Sequence, residues 1–89
     1  KKTVFVVAAG NSTNNNDSRP VYPSSYVFPH LISVAASDDF DDLAWFSNFG
    51  QTSVNVGSPG VMIQSTMPNG TWAPMNGTSM AAPFVAGIA

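Results

Sequence analysis

The last twelve residues, Thr78 to Ala89, carry no charge and are apolar in every direction around a helix, at Met80, Ala81, Ala82, Phe84, Val85, Ala86 and Ile88. A helix with one apolar stripe can lie on a surface, but a helix that is apolar all round has to be enclosed. The fold that contains this segment must therefore place it centrally. Its small residues let neighbouring backbones come close. Pro83 falls near the helix start, about where the free N–H groups run out, and removes one helical bond. The segment reaches Ala89 with no cap or polar stop. The expectation is a helix cut within its length.

Short apolar runs supply strands. Val4-Phe5-Val6-Val7-Ala8-Ala9 is β-branched and apolar throughout, the pattern of a strand buried on both faces as in a parallel sheet. Leu31-Ile32-Ser33-Val34-Ala35-Ala36 is a second such run, and Val54-Asn55-Val56 a third, stopped by Gly57-Ser58-Pro59-Gly60. Val61 to Thr66 and Thr71 to Met75 flank Pro68-Asn69-Gly70, which predicts a hairpin. Ser12 to Ser18 is an Asn-rich surface loop, and Arg19 to Tyr26, with two prolines, an extended packed loop. Asp38 to Asp42 and Ser47 to Gly50 are turns. There are no internal repeats.

Composition narrows the functions. With 89 residues the chain suffices for one small domain, but catalytic α/β domains usually need well over ~100. Only 9% of residues are charged, so Ser, Thr and Asn supply the polarity, as on a secreted surface or in a chain that is mostly interior. Three basic residues, Lys1, Lys2 and Arg19, form no patch for a phosphate backbone, which excludes nucleic acid as an expected partner. The lack of cysteine excludes disulfides and thiolate chemistry. No apolar run approaches the ~20 residues of a membrane span, and none reads as a signal peptide.

Chemistry concentrates in Asn76-Gly77-Thr78-Ser79-Met80-Ala81-Ala82-Pro83. Ser79 follows a Gly-Thr turn at the N-terminus of a buried helix. Unpaired N–H groups and the positive end of the dipole favour a developing negative charge there. A serine so placed can attack a carbonyl while nearby donors hold the oxyanion. Taken alone, a Ser near a helix start reads more simply as an N-cap, a role open to Thr78 as well.

The whole string Gly-Thr-Ser-Met-Ala-Ala-Pro resembles the nucleophile motif of the subtilisin-like serine proteases, the subtilases. Three more segments agree in the family's order: Val6-Val7-Ala8-Ala9-Gly10-Asn11; Tyr22-Pro23-Ser24-Ser25-Tyr26 with Ile32-Ser33-Val34-Ala35-Ala36; and Phe46-Ser47-Asn48-Phe49-Gly50 with Ser58-Pro59-Gly60-Val61. The resemblance covers nearly the whole chain. It implies an α/β fold with a doubly wound, mostly parallel sheet and flanking helices, of which residues 1–89 are a C-terminal part, truncated before Lys1 and within the helix at Ala89. It implies Ser79 as nucleophile, and Asn11 as side-chain donor to the oxyanion beside the Ser79 N–H. Substrate contact is implied at Ala8, Ala9, Gly10, Val21 and Tyr22, with Val21 as one pocket wall. Phe84 stands where the family usually has His, and Ser58 where it usually has Ala; neither belongs to the triad.

The family's Asp and His motifs do not occur in these residues. His30 is the only histidine and precedes the second strand, unlike the family's base. The implied function is a serine endopeptidase acting on proteins or peptides, with these residues inactive apart from the N-terminal part of the same domain. The alternative is a catalytically dead peptide-binding module. A Gly-x-Ser-x-Gly hydrolase is disfavoured, because Gly77-Thr78-Ser79-Met80-Ala81 lacks the second Gly and no Asp or His follows. The resemblance also implies a secreted or extracytoplasmic location. The chemistry requires no cofactor. The acidic cluster, through Asp38 and Asp39, is a candidate for the structural calcium that subtilases often bind, against the plainer reading of a solvated turn. Sequons begin at Asn11, Asn16, Asn69 and Asn76; a glycan at the first or last would obstruct the site, whereas Asn16 and Asn69 are acceptable loop positions.

A chain whose helix and strands all demand cover is predicted to aggregate or form a molten state when expressed as these 89 residues alone. Near-UV circular dichroism and calorimetry check this, and a sharp cooperative melt would contradict it.

Overall fold

The computed structural model describes residues 3–26, 30–66, 70 and 72–88. Three parallel strands, β1 (Phe5–Ala8), β2 (Leu31–Ser37) and β3 (Val56–Pro59), form a sheet with β2 in the middle. Phe5 lies opposite Leu31 and Ala8 opposite Val34; on the other side Val34 faces Val56 and Ser37 faces Pro59. Among the described residues only β2 has a strand on each side, and Ser33 to Ala36 are buried accordingly. Enclosing Val34 alone, which has no exposed surface, stabilises by roughly 1.5–3 kcal/mol.

Two strand expectations need correction. The run Val4 to Ala9 reads as buried on both faces, yet Val4 is 46% and Phe5 58% exposed. β1 is an edge strand among the described residues, paired on its β2 side alone, and its exposure is concentrated at its start, since Val6, Val7 and Ala8 are half-buried. The third strand begins at Val56 and runs through Gly57 and Ser58 instead of stopping there. Asn55 explains the shift: its N–H donates to the Ser33 carbonyl at 2.9 Å, and its Oδ1 accepts the Ser33 N–H at 2.7 Å. That side chain replaces one ladder bond, and the regular ladder starts a residue later. Pro59 is tolerated because β3 is also an edge.

The expected hairpin is present as β4 (Ile63–Thr66) and β5 (Trp72–Met75), antiparallel, with Ile63 opposite Met75 and Thr66 opposite Trp72. Its predicted turn at Pro68-Asn69, the sequon at Asn69 and the helix end at Ala89 lie outside the described residues. The segment from Val21 to Tyr26 makes a turn, with the Ser25 N–H on the Val21 carbonyl at 2.6 Å and a cis Tyr22–Pro23 peptide.

The helix α1 (Thr78–Ile88) crosses one face of the sheet. Ala81 is fully buried with Val34, Ala36, Ala44 and Phe46, and Ala82 and Val85 pack against that cluster. The expectation of a helix enclosed on every side is not met: Phe84 is 47% and Ile88 87% exposed. Its composition states what cover the helix demands, and the described residues cover a single stripe. Among them, α1 is the one helix flanking the sheet.

Gly60 sets how closely α1 approaches. Its N–H donates to Ser37 at the end of β2 at 3.1 Å, and its carbonyl accepts the Gly77 N–H at 2.8 Å. A Cβ there would lie 2.6 Å from the Ala36 Cβ, 2.7 Å from the Gly77 carbonyl oxygen and 3.2 Å from the Ala81 Cβ. Gly60→Ala, in the complete protein carrying this sequence, should therefore lower unfolding stability by roughly 1–3 kcal/mol in a urea titration. Gly57→Ala, whose Cβ would meet nothing within 4 Å, should stay within about 0.5 kcal/mol.

Candidate active site

Two turns far apart in sequence meet at the C-terminal end of β1. The Thr78 N–H donates to the Asn11 Oδ1 at 2.8 Å across 67 residues of chain, and the Thr78 hydroxyl donates to the same oxygen at 2.9 Å. The Thr78 Oγ1 in turn accepts the Gly10 N–H at 3.1 Å. A backbone N–H can only donate, so it settles which end of the Asn11 amide is oxygen and leaves Nδ2 as the free end's donor. That nitrogen lies beside Gly77, where a Cβ would stand 3.5 Å away. Thr78 is buried, whereas Asn11 and Ser79 on either side of it are exposed to solvent.

The Thr78 hydroxyl therefore does not cap its own helix, as the simpler reading of the sequence has it; it ties the helix to β1. The helix start is closed instead by the Met80 N–H on the Gly77 carbonyl at 3.0 Å. Asn76 just ahead accepts the Met62 N–H on its Oδ1 at 2.6 Å, which fixes the chain entering the turn.

The loop after Asn11 is anchored by side chains that the sequence reading treats as ordinary surface or turn residues. Asn16 is 1% exposed, and its Nδ2 donates to the Ala9 carbonyl at 3.1 Å. A glycan would need that same nitrogen, so Asn16 is not an acceptable glycan site. Asn48, also 1% exposed, holds the loop from behind, and Asp17 reaches across to residues 51–53. The Asp17 carboxylate accepts the amides of Gln51, Thr52 and Ser53 and the hydroxyls of Thr52 and Ser53. The Ser53 hydroxyl and amide, followed by those of Thr52, outweigh desolvation and hold its pKa well below the ordinary carboxylate range. Nothing in residue pattern marks Asp17 or Asn16. Asn48 falls in a matching family string, which was the only signal available for it.

The other expected residues scatter more widely. Ala8 ends β1, and Ala9 is fully buried, its N–H on the Val34 carbonyl at 2.9 Å. Val21 is half-buried, while Tyr22 is 59% exposed and its ring lies 4.7 Å from that of Tyr26. Among the described residues the bonds and ring contact of Val21 and Tyr22 go to Ser24, Ser25 and Tyr26, not to Asn11 or Ser79. The His30 carbonyl accepts the Phe5 N–H at 2.7 Å, at the opposite end of β1 from Asn11. The four residues of β1 span about 13 Å between those ends. The Asp38 Oδ1 accepts the Phe40 and Asp42 amides at 2.9 and 3.1 Å, so that carboxylate closes its own turn. Among the described residues no cluster of three or more His, Asp or Glu is arranged to hold a metal ion. No described helix is long and apolar enough to cross a membrane.

Comparison with known proteins places this geometry. The model of the subtilase family matches residues 1–89. The chain is 49% identical over 89 residues to the thermophilic serine proteinase of Bacillus sp. strain AK1, covering 100% of this chain and 21% of that protein. It is 45% identical over 89 residues to thermitase of Thermoactinomyces vulgaris, covering 100% and 30%. With subtilisin-like protease 2 of Plasmodium falciparum the identity is 44% over 88 residues, covering 99% and 7%. A mutant of the protease domain of PatA superposes with a TM-score of 0.80 at 30% identity, over 96% of this chain and 30% of that one. The chain thus spans less than a third of the length of each of these relatives.

A carboxylate whose folded pKa is lowered adds stability above its unfolded pKa, ordinarily ~3.9, and that contribution is lost as pH falls through the folded value. Asp17→Asn should lower the thermal midpoint at pH 7, and the gap from the parent should narrow progressively in strong acid. Melts of both proteins from pH 7 to pH 2 test this; a gap independent of pH would show that the charge is not what the site reads.

Proposed function

The chain belongs to the subtilase family of serine-type peptidases, and on that premise we propose that it is the C-terminal part of an endopeptidase domain with Ser79 as nucleophile and Asn11 as oxyanion donor. The observation that carries the reading is the Asn11 Oδ1 held by both the N–H and the hydroxyl of Thr78. It brings a solvent-exposed amide donor next to the residue that precedes Ser79, at the positive end of a helix.

In this reading the Ser79 Oγ adds to the carbonyl carbon of a peptide bond, and its proton passes to a base. In the proposal the developing oxyanion is met by the Asn11 Nδ2 and the Ser79 N–H, since donors fixed before the reaction stabilise charge without reorganisation. Collapse expels the amine, protonated by the base, and leaves an acyl-enzyme on Ser79. Water then adds to the acyl carbon and frees the acid. Base and orienting carboxylate come from the part of the domain that precedes these residues; His30 is at the wrong end of the sheet. The substrate is a protein or peptide, gripped in part along Ala8 to Gly10 and at Val21 and Tyr22. Secretion or another extracytoplasmic location accords with the neutral polar surface, with Ser, Thr and Asn in place of charge. Calcium, if bound, has a structural role elsewhere in the domain, and no step runs through it.

The preceding part of the domain is also the partner that covers the open faces of β1 and α1, including Phe5, Phe84 and Ile88. Without it the 89 residues hold a nucleophile with no base and are inactive.

A fluorophosphonate probe on the complete domain tests the reading. Label is expected on Ser79 and is lost in Ser79→Ala and in a variant lacking the upstream His. Asn11→Ala should lower kcat by about 10²–10³, the loss recorded for a single oxyanion donor in a related subtilisin. A folded domain that takes no label would instead leave a peptide-binding module.

A further inference from the structure

Asn48 is buried behind the loop that carries Asn11, and every polar atom of its amide is spent on that loop. Its Nδ2 donates to the Ala9 carbonyl at 3.1 Å. Its Oδ1 accepts the Ser12 N–H at 2.8 Å and the Asn14 N–H at 3.0 Å. Its own N–H donates to the Gly10 carbonyl at 2.8 Å. The bonds thus fall on both sides of Asn11, on Ala9 and Gly10 before it and on Ser12 and Asn14 after it, and none is made to Asn11 itself. Gly10, at φ +117°, presses so closely that a Cβ would collide with the Asn48 Nδ2.

The turn bearing Asn11 is therefore held between two grips. Thr78 takes it from the helix side, through the Gly10 N–H and the Asn11 Oδ1. Asn48 takes it through the Gly10 carbonyl and the Ser12 and Asn14 N–H groups, using a planar amide whose orientation is dictated by two backbone donors. Removing a buried amide of this kind leaves the Ala9 carbonyl with one donor fewer and strands the Ser12 and Asn14 N–H groups, so the turn must move to find other partners.

Resting on the assignment of Asn11 as oxyanion donor, we infer that Asn48 is a positioning residue for the same reaction: it sets where the Asn11 Nδ2 points. A donor displaced by a fraction of an ångström still lets substrate bind but no longer meets the oxyanion, so the cost falls on turnover. A residue that merely stabilised the loop would lower activity equally whether or not Asn11 kept its amide.

The test uses the complete peptidase domain with a peptide substrate, and kcat is expressed per active site titrated with the fluorophosphonate, so unfolded protein does not count. Asn48→Ala, and Asn48→Asp, which keeps the acceptor for Ser12 and Asn14 but has no N–H for Ala9, are made in the parent and in Asn11→Ala. In the parent, kcat should fall about 10- to 100-fold with KM within about twofold. In Asn11→Ala the further fall should be under about threefold, since the two residues act as one unit. An equal fall in both backgrounds, a rise in KM at unchanged kcat, or failure of both variants to give titratable enzyme would overturn the inference and mark Asn48 as a folding determinant. Failure of the underlying assignment reads differently: Asn11→Ala would itself keep the parent's kcat while Ser79→Ala is dead, and the positioning role would fall with it.

Discussion

One acceptor atom joins the two halves of this site. The Asn11 Oδ1 takes both donors of Thr78, and through it the end of β1 and the start of α1 become one rigid unit. The arrangement has a chemical consequence beyond holding. An amide has an accepting end and a donating end, so committing the oxygen inward necessarily turns the nitrogen outward. The burial of Thr78 protects these bonds from competing water, while Asn11 and Ser79 remain open to solvent.

The packing serves that contact. The small residues Ala36, Gly60 and Ala81 let helix, central strand and the exit from β3 meet with almost no side chain between them. Gly60 then passes its carbonyl to the Gly77 N–H, so the turn ahead of Ser79 is placed by backbone as well as by the hydrophobic contact of α1 with the sheet. Larger residues at these positions would push the helix start outward and lengthen the bonds to Asn11.

The described part of the connection from β1 to β2, residues 9–26, is irregular, and such a loop has backbone groups that no ladder satisfies. Here side-chain amides and one carboxylate take over. Asn48 and Asn16 converge on the Ala9 carbonyl, and Asp17 of the same loop gathers the amides of residues 51–53 in the connection between β2 and β3. The high Asn content of this region is thus structural in part. The loop is ordered by directional hydrogen bonds where it has little apolar surface to bury.

Much of the fold was legible beforehand. Apolar runs without alternation marked β1 and β2 as parallel strands, the flanked Asn-Gly marked the hairpin, and Gly-Thr-Ser marked the helix start with its nucleophile candidate. These properties are local, written in periodicity and in the conformational limits of Gly, Pro and Asn. Burial was not legible to the same degree. The apolar pattern of β1 and α1 records a demand for cover, and whether neighbours meet it depends on which segments fold against them; Phe5 and Ile88 stay exposed among the described residues. Nor were Asn16 and Asp17 visible, and Asn48 was marked only by the family string it falls in, because an Asn in a turn and an Asn bonded to another loop have the same local sequence. The sequence by itself determined the elements, the family and the chemical groups at Asn11 and Ser79. Only the tertiary structure decided which amide faces inward, which faces the solvent and which residue holds each in place, since hydrogen bonds across 36 to 67 residues are set by where the chain returns in space.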